Sequence, residues 1–337
     1  MRKLMSYKIY GCILILSLVG LTGCSKDSDK LIDNRQADMP LSEETEQIEQ
    51  TEQTEQTEGS SADDILQIEE TPTDEIQEVI VEPMIEDMDW SNYFEGINGA
   101  AVIYEPAENC YQIYNQELAL TRRSPCSTFK IISSLIALEN GIIQPNESTR
   151  TWSGEIFWNE EWNRDIDFSD AFHASCVWYF REIIDEIGKD MIQENLNELA
   201  YGNCDISDWE GRLNTNNNNP VLTGFWIESS LLISPKEQVE VMKRIFGDNT
   251  DYSEETLEQL KQVMLLSEQD IRDISIYGKT GMGKANGIVV DSWYTGFADT
   301  TDRRIYFCVY LGETDNKNVS SAKAKEIAIK IVADHLN

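Results

Sequence analysis

The stretch that decides the fold is Ser124-Pro125-Cys126-Ser127-Thr128-Phe129-Lys130-Ile131-Ile132-Ser133-Ser134-Leu135-Ile136-Ala137-Leu138-Glu139-Asn140-Gly141. Ile131, Ile132, Leu135, Ile136 and Leu138 recur at helical spacing. Asn140-Gly141 supplies the stop, because glycine readily takes the left-handed backbone that closes a helix. Ser127 falls at the start of this helix, and Lys130 lies one turn on, on the same face. A serine hydroxyl is a weak nucleophile until a base takes its proton. Amides at a helix start favour negative charge beside it. The same letters also spell a helix cap followed by a surface lysine. That reading is strained here, because Lys130 lies between Phe129 and Ile131 on a helix that is apolar nearly all round.

Working outward, Ala100–Tyr104 and Tyr111–Tyr114 read as a strand pair. Helical stretches are expected over 168–187, 190–199, 235–246 and 253–266. Strands are expected at Ile274–Tyr277, Asp291–Phe297 and Arg304–Leu311, and an amphipathic helix over Ser320–Leu336 closes the chain. Strands at both ends with helices between predict an α+β fold: an antiparallel sheet with flanking helices and a helical subdomain. One sheet needs both ends, so residues 90–337 form one structural unit. Two more segments carry chemistry. Ser175-Cys176-Val177 lies in the helical region. Tyr277-Gly278-Lys279-Thr280-Gly281 lies on a strand expected to turn at Met282-Gly283. It offers a cation, a hydroxyl and a residue with no side chain to block a groove.

The 337 residues carry a formal net charge of −34. Carboxylates repel nucleic acid and anionic membrane faces, so neither is an expected partner surface. The excess is uneven: residues 25–89 hold 22 acids against Lys26, Lys30 and Arg35. Thr51-Glu52-Gln53-Thr54-Glu55-Gln56-Thr57-Glu58 is part of this tract, which has too little apolar surface to fold. Ahead of it stand a short basic segment, an uncharged run over Ile9–Leu18, and Leu21-Thr22-Gly23-Cys24. The run is too short to span a membrane comfortably and suits a signal-peptide core. The last four residues resemble a bacterial lipobox. The expected organisation is a lipoprotein signal peptide over 1–23, an acidic disordered linker over 24–89 lipidated at Cys24, and a folded domain over 90–337. The domain is then exported and anchored to the outer face of the cytoplasmic membrane through lipid on Cys24. An uncleaved anchor or an ordinary secretory cleavage are the alternatives.

Ser127-x-x-Lys130, a second serine at Ser175 and Lys279-Thr280-Gly281 together resemble the signature of penicillin-recognising serine enzymes. Tyr201-Gly202-Asn203, the stretch Phe225–Pro235, Trp162-Asn163-Arg164-Asp165 and Val177-Trp178-Tyr179 make the chain similar to the class D serine β-lactamases over residues 90–335. The resemblance implies a β-lactamase/penicillin-binding transpeptidase-like fold that hydrolyses β-lactams through a serine acyl-enzyme. It also implies that Lys130 works as N6-carboxylysine, with carbon dioxide or bicarbonate as the sole small-molecule requirement and no metal. Phe129, Val177, Trp226 and Leu231 would wall the lysine, since desolvation favours the neutral amine that carboxylation requires. The Trp226 indole would donate to the carbamate. Ser127 and Met282 amides would form the oxyanion hole, and Ser175 beside Lys279 would relay a proton to the leaving nitrogen. Val177, Tyr201, Asn203, Trp226, Thr280 and Gly281 would bind substrate. One departure stands out: Ala324 occupies the place where many members carry an arginine for the substrate carboxylate. Lys323 and Lys325 flank it without an arginine's fork, which leaves more of that task to Thr280. The alternatives are a β-lactam receptor that stays acylated and a cell-wall transpeptidase.

Other candidates weigh less. His173 lies near Ser175, but His173 and His335 are the sole histidines and no triad pattern surrounds them. No His-Glu-x-x-His spacing is present. Cys110, Cys126, Cys176, Cys204 and Cys308 are an odd set, so they cannot all pair. Cys126 and Cys176 flank the motif serines and could approach each other, though small buried hydrophobes is the simpler role. Trp152, Trp158 and Trp209 read as core or cleft-rim residues.

Overall fold

The computed structural model describes residues 81–213, 218–266, 273–314 and 319–337. The signal segment, Cys24 and the acidic tract up to residue 80 lie outside the described residues.

The sheet has six strands: β1 (Met84–Asp87), β2 (Gly99–Glu105), β3 (Cys110–Tyr114), β4 (Ser275–Ala285), β5 (Ile288–Asp299) and β6 (Arg304–Gly312), in the order β1-β3-β2-β6-β5-β4. β2 pairs with β6, so the two chain ends share one sheet. The helices are α1 (Ser91–Phe94), α2 (Gln116–Ala119), α3 (Lys130–Glu139), α4 (Phe168–His173), α5 (Val177–Ile187), α6 (Lys189–Glu198), α7 (Pro235–Phe246), α8 (Glu254–Met264) and α9 (Ser321–Leu336).

Core layers lie on both faces of the sheet. Along β6, Tyr306, Cys308 and Tyr310 turn to the layer containing α3, α5 and α7, whereas Ile305, Phe307, Val309 and Leu311 turn to the layer under α9. That is the two-residue period of a strand covered on both sides. It explains why this strand reads as a continuous apolar run.

Four sequence expectations need correction. The sheet is mixed at one edge, because β1 runs parallel to β3. The described structure also includes a strand ahead of Trp90, starting at Met84, although all four β1 residues are exposed. Such a short, exposed edge strand adds backbone hydrogen bonds with almost no burial, so no alternation of buried and exposed positions announces it. The expected helix over 168–187 breaks between α4 and α5. Ser175 there has φ +56°, and the Ala174 carbonyl accepts the Trp162 indole N–H at 2.9 Å. Finally, β4 does not turn at Met282-Gly283. It continues to Ala285, and the hairpin turns at Asn286-Gly287, whose φ values are +51° and +80°. Two consecutive positive φ values are what a two-residue primed turn requires, and Asn-Gly supplies them at little cost.

Candidate active site

Ser127, the candidate nucleophile, sits on a tight turn. Cys126–Phe129 form a short 3-10 segment that feeds directly into α3. Cys126 has φ +49°, a strained backbone for a residue with a side chain. Neighbours hold it there. Cys126 N–H donates to the Trp226 carbonyl at 2.9 Å, Ser124 Oγ donates to the same oxygen at 3.0 Å, and the Trp293 indole donates to the Ser124 carbonyl at 3.0 Å. Ser127 is thereby presented rigidly at the head of α3.

Lys130 is 1 % exposed, and its Nζ lies 2.9 Å from Ser127 Oγ. Burial lowers its pKa to about 8, because an ammonium loses hydration that apolar walls cannot replace. A sizeable fraction of the amine is therefore neutral near neutral pH. One wall is the Phe180 ring, whose centre is 5.3 Å from Nζ. Phe180 escaped the sequence reading, although it lies three residues from Val177 on one helix and hence on the same side. Trp226, 1 % exposed, stacks on Phe129 with ring centres 6.0 Å apart. Its Nε1 is buried without a hydrogen-bond partner. An orphaned buried donor costs about 1–3 kcal/mol, so a group that accepts from it is expected.

Opposite stands the second pair. Lys279 Nζ donates to Ser175 Oγ at 3.1 Å and to the Thr280 carbonyl at 3.3 Å. Burial, followed by the nearby Lys130 charge, pushes Lys279 well below its ordinary pKa. Ser175 owes its position to the left-handed backbone between α4 and α5 that breaks the expected helix. Val177 begins α5 and lines the cleft.

Gly281 has a different reason from the one expected. A Cβ there would lie 2.9 Å from the Pro125 carbonyl oxygen and 3.0 Å from Thr128 Cγ2. The absent side chain lets β4 pack against the nucleophile turn, rather than opening a groove. β4 is an edge strand, and Leu266 N–H donates to the Ile276 carbonyl across that edge at 2.8 Å. Alternation along the strand then turns the N–H groups of Gly278, Thr280 and Met282 the same way, away from β5. Met282 N–H therefore faces the edge against which the nucleophile turn packs.

Two expected substrate contacts are corrected. Tyr201 is fully buried, edge-on to Phe129 at 5.7 Å between ring centres. Asn203 spends its side chain on the loop after Phe225: Oδ1 accepts from Leu232 N–H at 2.9 Å, and Nδ2 donates to the Ser230 carbonyl at 2.8 Å. Both brace the wall that carries Trp226. Apolar packing and backbone pairing consume these side chains before a ligand can reach them, which no local pattern reveals. Ala324 is likewise fully buried, and Lys323 pairs with Glu326 at 3.2 Å and Glu95 at 3.9 Å.

The cleft is a cavity of about 670 Å³ that brings together Ser127, Val177, Trp158, Leu222, Ile227 and Met282. Trp158, 76 % exposed, stands at its rim. Trp209 instead stacks on Phe225 at 5.1 Å. All five domain cysteines are free thiols, four of them buried.

Comparison with known proteins agrees with this geometry. Residues 97–333 match the model of the penicillin-binding protein transpeptidase domain. The chain is 34 % identical over 251 residues to regulatory protein BlaR1 of Bacillus licheniformis, covering 74 % of this chain and 39 % of that protein, so it spans about two fifths of that relative's length. It is 32 % identical over 246 residues to β-lactamase OXA-1 of Escherichia coli, covering 72 % of this chain and 86 % of the relative. Among solved structures, the C-terminal domain of the Bacillus licheniformis BlaR penicillin-receptor superposes with TM-score 0.65 at 32 % identity, over 75 % of this chain and 97 % of that one. A class D β-lactamase from Bacillus subtilis superposes with TM-score 0.63 at 27 % identity, over 73 % and 95 %. With a nucleophile turn, a buried lysine and a Lys-Thr-Gly edge strand assembled in one cleft, the chain belongs to the penicillin-binding protein transpeptidase-domain family.

Proposed function

We propose that this protein hydrolyses β-lactams through an acyl-enzyme on Ser127, with Lys130 as the base, and that it works outside the cytoplasm as a lipoprotein held by Cys24. The observation that carries the reading is the dry lysine. Its amine is pushed toward neutrality 2.9 Å from a serine hydroxyl. The Trp226 indole N–H in the surrounding apolar wall lacks an acceptor. These residues fit a carbamate on Lys130, which would supply an anionic base and an acceptor for Trp226.

The chain's own groups divide the remaining work. Ser127 Oγ attacks the lactam carbonyl as its proton leaves toward the base position at Lys130. The Ser127 and Met282 amides receive the developing oxyanion, a role in which one donor typically contributes about 2.7–4 kcal/mol. Ser175, hydrogen-bonded to Lys279, passes a proton to the departing nitrogen. Water, giving its proton to the base position at Lys130, then attacks the ester carbonyl, and Ser127 Oγ departs as that proton returns to it. Lys279 stays close to Ser175 and Thr280 throughout and can return a proton to Ser175.

Carboxylation needs the neutral amine, so its pH dependence has a defined sign. At fixed dissolved carbon dioxide, the rate of restoring turnover to decarboxylated protein should rise roughly tenfold per unit below the Lys130 pKa and level off above it, with the bend near pH 8. A rate that falls as pH rises from 6 to 8 would remove the neutral amine from the scheme. Trp226→Phe keeps the ring and deletes the donor. It is expected to weaken the carbon-13 carbamate signal and slow deacylation about tenfold, the worth of one hydrogen bond to a charged group. An undiminished signal would detach Trp226 from the role.

A second reading is a penicillin receptor that acylates and stays acylated. It is favoured by the similarity to BlaR1 and to the BlaR receptor domain. Pre-steady-state kinetics with a penicillin, with and without bicarbonate, separates the two. Sustained turnover that increases with bicarbonate supports the hydrolase. One stoichiometric burst followed by none supports the receptor.

A further inference from the structure

We propose that Trp162 is a positioning residue for Ser175, and that its indole N–H holds the peptide bond that aims the Ser175 hydroxyl. This rests on the reading of Ser175 as the group that passes a proton to the departing nitrogen. Trp162 ends a short 3-10 turn ahead of α4 and is 4 % exposed. Its Nε1 donates to the Ala174 carbonyl at 2.9 Å. Ala174 caps the end of α4, where carbonyls have no partner further along the helix and must find one elsewhere.

A peptide unit is planar, so its carbonyl oxygen and the next amide move as one body. Both ends of the Ala174–Ser175 peptide are held. Trp162 holds the oxygen, and Ser175 N–H donates to the Phe172 carbonyl at 3.2 Å. Cys176 N–H donates to the Ala171 carbonyl at 2.8 Å and fixes the following peptide. Two of these bonds are local to residues 171–176, whereas the Trp162 bond arrives from 12 residues away. Between them Ser175 has φ +56°, a backbone that a residue with a side chain keeps only where its surroundings hold it. If the Ala174–Ser175 peptide swung, the Ser175 Cα–Cβ bond would rotate and carry Oγ away from Lys279 Nζ, 3.1 Å distant. A misplacement of about 1 Å in a reacting group can cost about 10²-fold in rate.

The indole is itself anchored. Trp178, near the start of α5, donates its indole N–H to the Trp162 carbonyl at 3.0 Å. Asn163 clasps the backbone of Phe157: its Oδ1 accepts from Phe157 N–H at 2.8 Å, and its Nδ2 donates to the Phe157 carbonyl at 3.1 Å. The Trp162 ring packs against Phe157 and Trp158, with ring centres 6.1 and 5.2 Å apart, and lines the cleft. One side chain thus walls the cleft with its ring and steers the Ser175 backbone with its N–H. The two roles are separable, because a wall acts whether or not residue 175 carries a hydroxyl and a positioning group does not.

The test is a double-mutant cycle on the full chain with benzylpenicillin, and it reads the second-order rate of acylation, a step that a hydrolase and a receptor share. Ser175→Ala should slow acylation by at least about 10², the lower end of what a positioned proton donor contributes. Trp162→Phe keeps an apolar ring and deletes the donor. It should slow the otherwise unaltered protein about tenfold, the worth of one hydrogen bond at the upper end of its range. In the Ser175→Ala background the same change should cost less than about twofold, since coupled residues do not add. Should Trp162→Phe disturb folding, β-(3-benzothienyl)alanine at position 162 keeps the fused rings, replaces the N–H by sulfur, and should reproduce the pattern. A full tenfold loss in the Ser175→Ala background, or no loss without it, would overturn the positioning role and leave Trp162 as a wall. Acylation unaffected by Ser175→Ala would overturn the proton-relay reading and this proposal together. Acylation without turnover would count against the hydrolase reading alone.

Discussion

Lys130→Ala is expected to lower β-lactam turnover by at least about 10³, within the range that a positioned general base contributes. The residual protein should trap as an adduct on Ser127, visible by mass spectrometry as a stable mass increase. The reason is asymmetry between the two half-reactions. Ser127 is pre-positioned by the strained turn and the oxyanion amides, so some acylation survives without the base. In the proposed scheme the attacking water depends on the base at Lys130 for its activation. A folding defect is separable from this effect. The Lys130 ammonium is disfavoured by burial, so removing it relieves a desolvation cost that offsets the small cavity left behind. The thermal midpoint should therefore stay close to the wild type's. Unchanged turnover would take Lys130 out of the base role.

Gly202→Val is expected to destabilise the domain by about 3–5 kcal/mol, combining a forced left-handed backbone with overpacking. That corresponds to a fall in Tm of roughly 10 °C. Gly202 has φ +55°, and a Cβ there would lie 2.0 Å from the Leu232 carbonyl oxygen. The neighbouring Asn203 ties the same strand of chain down through Leu232 and Ser230. The substitution should push away the wall that carries Trp226 and so lower the carbamate signal along with stability. Urea unfolding checks it: an unfolding free energy within about 0.5 kcal/mol of wild type, the range of an ordinary surface change, would mean that the close approach is not maintained in solution.

The two cases differ in how legible they were. Ser127 and Lys130 are three residues apart, and a helix converts that spacing into contact without help from the rest of the chain. Their pairing was readable from the letters alone. Ser175 and Lys279 are 104 residues apart. Their conjunction was suggested by resemblance, and only the sheet and the α4–α5 break bring them to 3.1 Å. The motif Tyr201-Gly202-Asn203 makes Tyr201 and Asn203 look like ligand contacts. The fold instead spends them on packing and on loop hydrogen bonds. Gly281 looks in the sequence like open space for substrate, yet it is where two backbones meet.

What the sequence by itself determined is the local chemistry and the layering. The apolar period of 131–138 makes the helix that presents Ser127. The continuous apolar run of β6 demands burial on both faces. What only the tertiary structure decided is which side chains are withdrawn from solvent. Desolvation is set by neighbours distant in sequence, such as Phe180 and Trp226 around Lys130. It is this desolvation that turns an ordinary surface-type amine into a group able to serve as a base.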